Sequence, residues 1–593
     1  MTNLRQHFIS FLIGVLAVNL APTIKHTYFK HFRTPSSNKH PTLSDTAVEN
    51  WPHEKKIHTF HNKIHVAVGY ALANVVFIET EEGLILIDTT ESNDALVQIF
   101  NEVNFIEKPT KLHTLIYTHH HPDHTFGGLG VYDILNSFGQ DRSSLQVIAH
   151  DKFIKEFNRV ITNVKMTYSR GASQFGNLLP DDLQINAGIG KKVLVHPKTK
   201  ISLVRPTRTF SEKLSLNIGG VELELVHAPG ETDDQINIIL PEFKAVVAGD
   251  NIYPAFPNLY AIRGVPTRDT KVWSNSVRLI NEYSKKFGED TVLIGMHGPP
   301  LSLNVERTTK VYSDAIQFVH DQTVRLMNQG LSTVEIVNEV KSLYPFWDEY
   351  YLREQYGTLE WSIKGIVSHY IGWFDGNVKN LRNYESFDEK WVESLGGCEK
   401  ISEKIQNLMK SEDRNNWLHA LELSNFCQKL DVRSDSDSKL QATLLNKLAN
   451  SESSPLARNF YLTSPNSGVN VDTSFPNEMQ VAAISDPDYL DIEVLFDSMT
   501  TKILPSVGID NWVLKIDMVD IDRQFILYLS NKVLRRVDDF IEFGANSTIT
   551  CSEVDFRKVL ANPLNAVGRL LDGSIEVEGG KMSLINFLRN LKP

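Results

Sequence analysis

The sequence predicts a layered α/β domain, followed by a mostly helical segment and a C-terminal segment of mixed strands and helices. Short apolar runs at residues 75–78 and 84–87 flank a polar turn, as in two buried strands of a hairpin. After residue 305, apolar side chains recur at steps of three and four, which is helical spacing. Alternating apolar residues at 514–518 and 525–529 predict a second hairpin near the C-terminus, with one buried face.

The remaining elements follow from similar local patterns. Apolar runs at 115–117, 221–226 and 245–248 read as strands, and residues around 94–103 read as a helix. Strands and helices mixed over about 250 residues, ending near His297, favour a layered α/β domain. Within the helical part, residues 434–438 are predicted to be a polar loop between two helices. Asp522 and Arg523 are predicted to form the turn of the C-terminal hairpin.

Composition limits the class of protein. The chain has 593 residues, a formal net charge of −12 and 41% hydrophobic residues, which is globular composition over several domains. The acidic balance argues against a nucleic-acid partner, since phosphate binding needs a concentrated basic surface. The three cysteines, Cys398, Cys427 and Cys551, are widely separated, so neither a disulfide scaffold nor a thiolate zinc site is expected.

The N-terminus carries a separate signal. Residues 8–24 contain no charged side chain, and 25–50 have the polar composition of a linker. We expect an uncleaved membrane anchor, since no convincing cleavage site follows; a removed signal segment and a buried helix are the alternatives. A membrane-associated or secretory location is therefore expected.

The strongest chemical signal is Thr118-His119-His120-His121-Pro122-Asp123-His124, directly after a predicted strand. In an extended loop, residues two apart point the same way, so His119 and His121 can converge on one metal ion. Asp123 and His124 can serve a second ion nearby, and imidazole with carboxylate suits zinc or a similar metal. A chance cluster in a solvated loop is the less favoured interpretation. His120 is out of phase with these ligands and is expected to support a ligand or to face solvent.

The motif resembles that of the metallo-β-lactamase superfamily of hydrolases, whose fold is an αββα sandwich. The resemblance implies three further ligands, each after a later strand, and three candidates follow in order: Glu231 after Pro229-Gly230, Asp250 after Ala248-Gly249, and His297 after an apolar run. Most of the superfamily has histidine where this chain has Glu231.

Glutamate at this position makes the chain similar to the alkyl sulfatase family, whose two carboxylate ligands lie 19 residues apart, as Glu231 and Asp250 do. Residues 256–264 resemble that family's sulfate-binding stretch, which makes Asn258 and Arg263 the candidate catalytic residues. Residues 318–323 and 372–377 resemble its helical dimerisation region, and 573–579 resemble its sterol-carrier-protein-like domain. Phe175 stands where some members have a tyrosine, so a hydroxyl contact is lost there.

The resemblance implies a dizinc hydrolase that cleaves alkyl sulfate esters to an alcohol and inorganic sulfate with a metal-activated water. It further implies a homodimer, and it divides the chain at 1–50 (anchor or signal, and linker), 51–305 (catalytic), 306–468 (helical dimerisation) and 469–593 (sterol-carrier-like). The assignment of ligands is as follows: His119, His121 and Glu231 on one zinc ion, Asp123, His124 and His297 on the other, and Asp250 bridging both.

Several roles stay open at this stage. Arg263 can bind sulfate oxygens through its planar guanidinium, or form a structural ion pair. Asp88 and Asp233 are candidates to accept a hydrogen bond from a ligand imidazole, whereas Asp234 is expected to be a solvated turn residue. Two alternative functions remain: another ester or lactone hydrolase on the same fold, and a lipid-binding protein with an inactive metal domain. The complete set of seven ligands favours an enzyme.

Overall fold

The described residues of the computed structural model are 54–591 except 107, 163–164, 195–201, 382–386, 430–434, 475–490, 505–507, 538–543, 562–567 and 570–571. The apolar segment at residues 8–24 lies outside them, so membrane anchoring stays a prediction. No helix among the described residues is both long and apolar enough to cross a membrane.

Two mixed sheets form the first part of the described chain. The seven strands of the first sheet, hydrogen-bonded in chain order, are β1 (Lys56–Phe60), β2 (Ile64–Val68), β3 (Val75–Thr80), β4 (Gly83–Ile87), β5 (Leu112–Ile116), β6 (Gln146–His150) and β7 (Arg208–Phe210). The five strands of the second are β8 (Lys213–Ile218), β9 (Val221–His227), β10 (Ile236–Leu240), β11 (Ala245–Val247) and β12 (Val292–Ile294). The strands β4 to β7 run parallel, as do β11 and β12.

Helices cover the outer faces of both sheets. The helices of this part are α1 (Asn93–Glu102), α2 (Pro122–Thr125), α3 (Gly128–Ser137), α4 (Phe153–Thr162), α5 (Lys165–Gln174) and α6 (Thr270–Phe287). Leu96 of α1 and Val131 of α3 belong to one buried cluster with the first sheet. Trp273 and Val277 of α6 belong to another with the second sheet.

The two sheets pack face to face through aliphatic side chains. Val76 and Ile85 of the first sheet share a fully buried cluster with Leu225 and Ile238 of the second. Apolar residues on alternate positions of strands from both sheets produce such a core because successive side chains point to opposite faces. The predicted αββα sandwich is therefore confirmed.

The segment that follows is helical, as predicted. Its helices are α7 (Val305–Met327), α8 (Thr333–Leu343), α9 (Leu359–Ile371), α10 (Phe387–Ser394), α11 (Cys398–Met409), α12 (Arg414–Lys429), α13 (Asp435–Asn450) and α14 (Pro455–Thr463). The loop predicted at 434–438 is wrong for residues 435–438, which form the first turn of α13; residue 434 lies outside the described residues. Acidic and hydroxyl side chains are common in the first turn of a helix, so the polar pattern marks a helix start rather than a loop.

Two of the cysteines are bonded to each other, which the sequence did not predict. Cys398 begins α11 and Cys427 lies near the end of α12, with their Cα atoms 5.8 Å apart. Because α11 and α12 are neighbours joined by a short loop, the two ends meet although 29 positions separate them in the chain. Cys551 is a buried free thiol.

A third sheet forms the C-terminal part. Its strands are hydrogen-bonded in the order β15 (Val533–Val537), β14 (Arg523–Ser530), β13 (Trp512–Met518), β16 (Ser547–Cys551) and β17 (Ile575–Gly579). Helices α15 (Ile492–Thr500), α16 (Glu553–Ala561) and α17 (Lys581–Asn590) accompany it. The predicted hairpin is confirmed as β13 and β14, although Arg523 begins β14 and only Asp522 remains in the turn. The sterol-carrier likeness and the domain boundaries stay predictions.

Replacing Ile238, which is fully buried between the two sheets, with alanine should destabilise the sandwich. Loss of the buried side chain costs about 2–5 kcal/mol in the free energy of unfolding. The denaturant midpoint, followed by fluorescence, should fall well below that of the wild-type protein. Leu303→Ala is the matched control, because Leu303 is 74% exposed. Equal midpoints for the two variants would contradict the placement of the core.

Candidate metal centre

The histidine-rich loop follows β5 at the edge of the sandwich. Helix α2 begins directly after His121, with Pro122 at its first position. His119, His121 and His124 are buried, and Asp123 is half-buried. A proline at the start of a helix fixes the chain direction there, so it places Asp123 and His124 in the first turn. Four side chains of the kinds that bind metal ions thus lie together where β5 is followed by α2.

The later candidates lie at the ends of strands of the second sheet. Glu231 follows β9, Asp250 follows β11 and His297 follows β12. Because β11 and β12 are parallel, Asp250 and His297 leave the sheet at the same edge. The resulting contact is direct: Asp250 Oδ2 lies 3.1 Å from His297 Nε2.

Two groups of side chains have ligand atoms close enough to hold a metal ion. The first is His119, His121 and Asp250, and the second is Asp123, His124 and His297; within each, the ligand atoms lie within 4.8 Å of one another. Both groups combine imidazole nitrogen with carboxylate oxygen, which suits zinc and similar ions.

Asp250 belongs to the first group but also faces members of the second. Its Oδ2 atom lies 3.8 Å from His119 Nε2, and its Oδ1 atom lies 3.5 Å from His124 Nε2. The carboxylate therefore faces members of both groups, which is the arrangement that a bridging ligand requires.

Several polar atoms of this centre are buried without a hydrogen-bond partner among the described residues. The ring nitrogens His119 Nε2 and His124 Nε2, and the carboxylate oxygens Asp250 Oδ1 and Glu231 Oε2, are buried, and none has a hydrogen-bond partner within the described part of the chain. Buried polar atoms are rarely left in this state in folded proteins. The donor set therefore fits metal binding.

Glu231 is buried at the centre but belongs to neither ligand group. Its Oε1 atom instead forms an ion pair with Arg268 Nη1 at 3.0 Å. Burial raises the pKa of Glu231, and the charge of Arg268 acts against that rise. The structure thus places Glu231 beside the candidate ligands, with an arginine as its nearest partner.

A layer of hydrogen bonds orients the candidate ligands. Asp88 Oδ2 lies 2.7 Å from His124 Nδ1, and Asp88 also accepts from both the backbone N–H and the hydroxyl of Thr118. The carbonyl of Leu72 lies 3.1 Å from His297 Nδ1. Each contact occupies Nδ1 and leaves Nε2 for a metal, which is the usual way such imidazoles are oriented.

Asp234 is not the solvated turn residue expected from the sequence. It is 1% exposed, and its Oδ1 atom lies 2.7 Å from Nδ1 of the buried His120. His120 therefore supports the loop through Asp234 rather than facing solvent. Asp233, by contrast, is exposed and pairs with Lys152 at 3.2 Å.

Burial and neighbouring charges shift the pKa values of the histidines in this centre. Burial lowers the pKa of His119 to about 3 and lowers that of His121 well below its ordinary value, so both imidazoles are neutral. Burial also acts to lower the pKa of His124, but the surrounding carboxylates, led by Asp250, raise it well above its ordinary value. A proton on His124 thus balances buried negative charge, a role that a divalent cation can take over.

Of the two candidate anion-binding residues, Arg263 contacts this centre directly. Arg263 Nη2 is 3.4 Å from His121 Nε2, and its backbone N–H donates to the side chain of Gln174. No carboxylate lies within 4.0 Å of its side-chain nitrogens among the described residues, which argues against a structural ion pair. Asn258 is 1% exposed. Phe175 lies under the guanidinium, with Arg263 Cζ 5.9 Å from its ring centre.

The sequence reasoning missed two charged residues of the site. Arg268 lies ten positions after Asn258 and has no motif to mark it. Glu91, fully buried, accepts hydrogen bonds from the backbone of Leu72 and Leu194, and burial raises its pKa to about 7. The sequence offered one indication of Glu91, which lies shortly after the end of a predicted strand.

Comparison with known families gives two matches. Residues 68–136 match the metallo-beta-lactamase superfamily, and residues 332–467 match the family described as alkyl sulfatase dimerisation. The first match contains the histidine-rich loop, and the second lies within the helical segment.

Individual relatives extend the likeness to most of the chain. A linear primary-alkylsulfatase of Pseudomonas sp. (strain ATCC 19151) is 29% identical over 86% of this chain and 97% of its own length. An alkyl/aryl-sulfatase of Saccharomyces cerevisiae is 26% identical over 94% of this chain and 85% of its own.

A solved structure agrees at the level of the fold. The stereoselective inverting sec-alkylsulfatase of Pseudomonas sp. superposes with a TM-score of 0.80, covering 91% of this chain and 85% of that one at 24% identity. The predicted resemblance is therefore confirmed: the chain resembles alkyl sulfatases over most of its length and contains a metallo-β-lactamase superfamily segment and an alkyl sulfatase dimerisation segment.

Proposed function

We propose that the protein is a dizinc hydrolase that cleaves alkyl sulfate esters. One observation carries this proposal: Asn258 Nδ2 and Arg263 Nη1 are buried and have no hydrogen-bond partner among the described residues. Arg263 contacts His121 of the first ligand group, and the carbonyl of Asn258 accepts a hydrogen bond from Arg268, which pairs with Glu231. Unsatisfied donors next to a cation site suit an anionic substrate such as a sulfate ester. The names of the alkylsulfatase relatives support the same substrate class.

His119, His121 and Glu231 would hold one ion, Asp123, His124 and His297 the other, and Asp250 would join them. Two divalent ions, when bound, supply Lewis acidity and make hydroxide available near neutral pH. The reaction is the addition of water to an alkyl sulfate, which yields the alcohol and inorganic sulfate.

Arg263 and Asn258 would bind the sulfate group itself. The guanidinium offers a planar fork that matches two sulfate oxygens, and the amide offers a neutral N–H donor. If His121 Nε2 holds a metal ion, it no longer contacts Arg263, and both guanidinium NH₂ groups are then available to the ester. The apolar ring of Phe175 lies on one side of this guanidinium, with its centre 5.9 Å from Arg263 Cζ.

We also propose that the protein is a homodimer. The match to the alkyl sulfatase dimerisation family over 332–467 supports this. Several large apolar side chains of the same segment are exposed, including Trp347, Tyr370 and Trp373. Such residues are typical of surfaces that contact another protein.

Purified protein should contain about two zinc ions per chain, measured by elemental analysis, and should release sulfate from dodecyl sulfate. Removal of the metal with a chelator should abolish sulfate release, and added zinc should restore it. Two metal equivalents with turnover of a lactone or thioester, but of no sulfate ester, would instead identify another hydrolase of this fold. A metal-free protein with a bound fatty ligand would indicate a lipid carrier.

Arg263→Ala should raise KM for dodecyl sulfate about 10- to 100-fold, because a hydrogen bond to a charged group contributes about 1.5–3 kcal/mol. Metal content should stay at the wild-type level. Arg263→Lys keeps the positive charge but lacks the planar guanidinium. Its KM for dodecyl sulfate should lie between those of the wild-type protein and of Arg263→Ala. Loss of metal from the alanine variant would show that Arg263 is structural.

Asp88→Asn should weaken zinc binding about 10- to 100-fold, since the carboxylate that orients His124 loses its charge. Titration of metal-free protein with zinc would measure the change. Asp233→Asn is the matched control: it makes the same chemical change at an exposed position and should leave zinc affinity unaltered. Equal zinc affinities for the wild-type protein and both variants would show that Asp88 does not support metal binding.

A further inference from the structure

Glu91 is a fully buried carboxylate that belongs to neither group of candidate ligands. Its Oε1 atom accepts hydrogen bonds from the backbone N–H groups of Leu72 and Leu194, each at 3.0 Å. A carboxylate buried to this degree is costly unless hydrogen bonds compensate it. The two N–H groups supply that compensation, and the carboxylate in turn joins the loop between β2 and β3 to the segment around Leu194.

Leu72 connects Glu91 to a candidate metal ligand. Its N–H donates to Glu91, and its carbonyl oxygen lies 3.1 Å from Nδ1 of His297. At the other ring nitrogen of this imidazole, Nε2 lies 3.1 Å from Asp250 Oδ2. Because a backbone carbonyl at Nδ1 orients a metal-binding imidazole, whatever fixes the position of Leu72 also fixes the direction of His297 Nε2.

The loop that contains Leu72 is attached to the loop that carries His297. The backbone N–H of Asn74 donates to the carbonyl of Met296 at 2.7 Å. Its side-chain amide donates to the carbonyls of Gly295 and Gly298, at 2.9 and 2.7 Å. These bonds hold the two loops in register, so a shift of one changes the position of the other.

The carbonyl of Leu72 is also closely packed on its other side. A Cβ atom on Gly190 would lie 2.9 Å from that oxygen and 3.2 Å from Cδ1 of the same residue. Gly190 lies four positions before Leu194, which Glu91 also holds. The carboxylate therefore fixes both the N–H of Leu72 and the segment that packs against its carbonyl.

Glu91 ends a short segment that also supports the other histidine of the second ligand group. This segment directly follows β4 and begins at Asp88, whose Oδ2 atom lies 2.7 Å from His124 Nδ1. The N–H and the hydroxyl of Thr89 donate to the carbonyl of His124 at 2.8 and 3.0 Å. Asp88 and Thr90 have φ angles of +57° and +64°, which is an unusual conformation for a β-branched residue such as threonine. The contacts of the segment hold the backbone in this conformation.

We propose that Glu91 is a positioning residue for the metal ion of the second ligand group: through Leu72 it sets the orientation of His297, as Asp88 does directly for His124. This inference deepens the proposed function and rests on its two-metal centre. Glu91 itself contacts neither the ester nor the ions. Its loss should therefore weaken one of the two metal sites rather than both.

The test titrates metal-free, full-length protein with zinc and resolves the two binding steps with a competing chelator of known affinity. Glu91→Leu fills a similar space but offers no acceptor to the N–H groups of Leu72 and Leu194. It should weaken one zinc step about 10- to 100-fold and leave the other within about twofold of the wild-type protein. Glu91→Gln keeps an acceptor oxygen, so both of its zinc steps should lie within about threefold of wild type.

A double-mutant cycle with His297→Ala separates positioning from a general structural effect. If Glu91 acts through His297, Glu91→Leu should weaken zinc binding by less than about twofold once the imidazole is absent, because residues in one network are not additive. Two independent effects would multiply instead.

Glu102→Leu is the matched control. Glu102 is exposed, and its Oε2 atom accepts a hydrogen bond at 2.5 Å from the hydroxyl of Tyr70, which lies in the same loop as Leu72. The control makes the same chemical change beside the same loop without removing the acceptor for Leu72. Both of its zinc steps should stay within about twofold of wild type.

Glu91→Asp is a milder second variant. It keeps the negative charge, but its side chain is one methylene group shorter and cannot reach both N–H groups. If the leucine variant does not fold, the aspartate variant should show the loss at the same zinc step, by about threefold or more.

Wild-type zinc binding in Glu91→Leu, or an equal loss at both steps, would overturn the assignment of Glu91. A glutamine variant as weak as the leucine variant, a loss that multiplies with that of His297→Ala, or an equal loss in Glu102→Leu would overturn it too. If the wild-type protein binds two zinc ions but hydrolyses no sulfate ester, the proposed function fails, whereas the zinc affinities of the variants still decide the role of Glu91.

Discussion

The structure of the centre depends on the concentration of buried carboxylates in one place. Glu231 and Asp250 are almost fully buried, and Asp123 lies within 3.5 Å of two imidazole nitrogens. Removing such charges from water is costly unless cations compensate them. Burial acts to lower the pKa of His124 and His297, but the neighbouring carboxylates, led by Asp250, raise both above the ordinary value, so protons on these two imidazoles offset part of the buried negative charge. The same donor set fits a divalent cation.

The fold meets this requirement through the geometry of its sheets. The candidate ligands come from loops at the ends of strands in both sheets, and the aliphatic core between the sheets fixes the separation of those loops. Side chains that must converge to within a few ångströms are best supported by strand ends rather than by long loops, because the strand ends move little. Asp88, at the end of β4, adds the hydrogen bond that orients His124 across two parallel strands.

Much of the fold and of the candidate site could be predicted wherever neighbouring residues in the sequence determine the structure. Contiguous sequence predicts the strands of the hairpin at 75–87 and the spacing of His119, His121 and Asp123. The later candidate ligands follow strands that short apolar runs predict. The contacts that the sequence did not reveal join distant positions: His120 meets Asp234 across 114 residues, and Cys398 meets Cys427 across 29. No local pattern distinguishes a buried Asp234 from its exposed neighbour Asp233, since the difference arises only when the loop folds against His120.

Arg268 shows how a change of one ligand type constrains the rest of the site. The superfamily that this chain resembles mostly has a neutral imidazole where Glu231 stands, so glutamate adds a negative charge to a buried centre. A second cation near that carboxylate offsets the added charge, and Arg268 occupies that position at 3.0 Å. The same guanidinium also donates a hydrogen bond to the backbone carbonyl of Asn258, so one side chain contacts both Glu231 and the Asn258 segment. A buried carboxylate at position 231 therefore requires a nearby cation, which a neutral imidazole at the same position would not require.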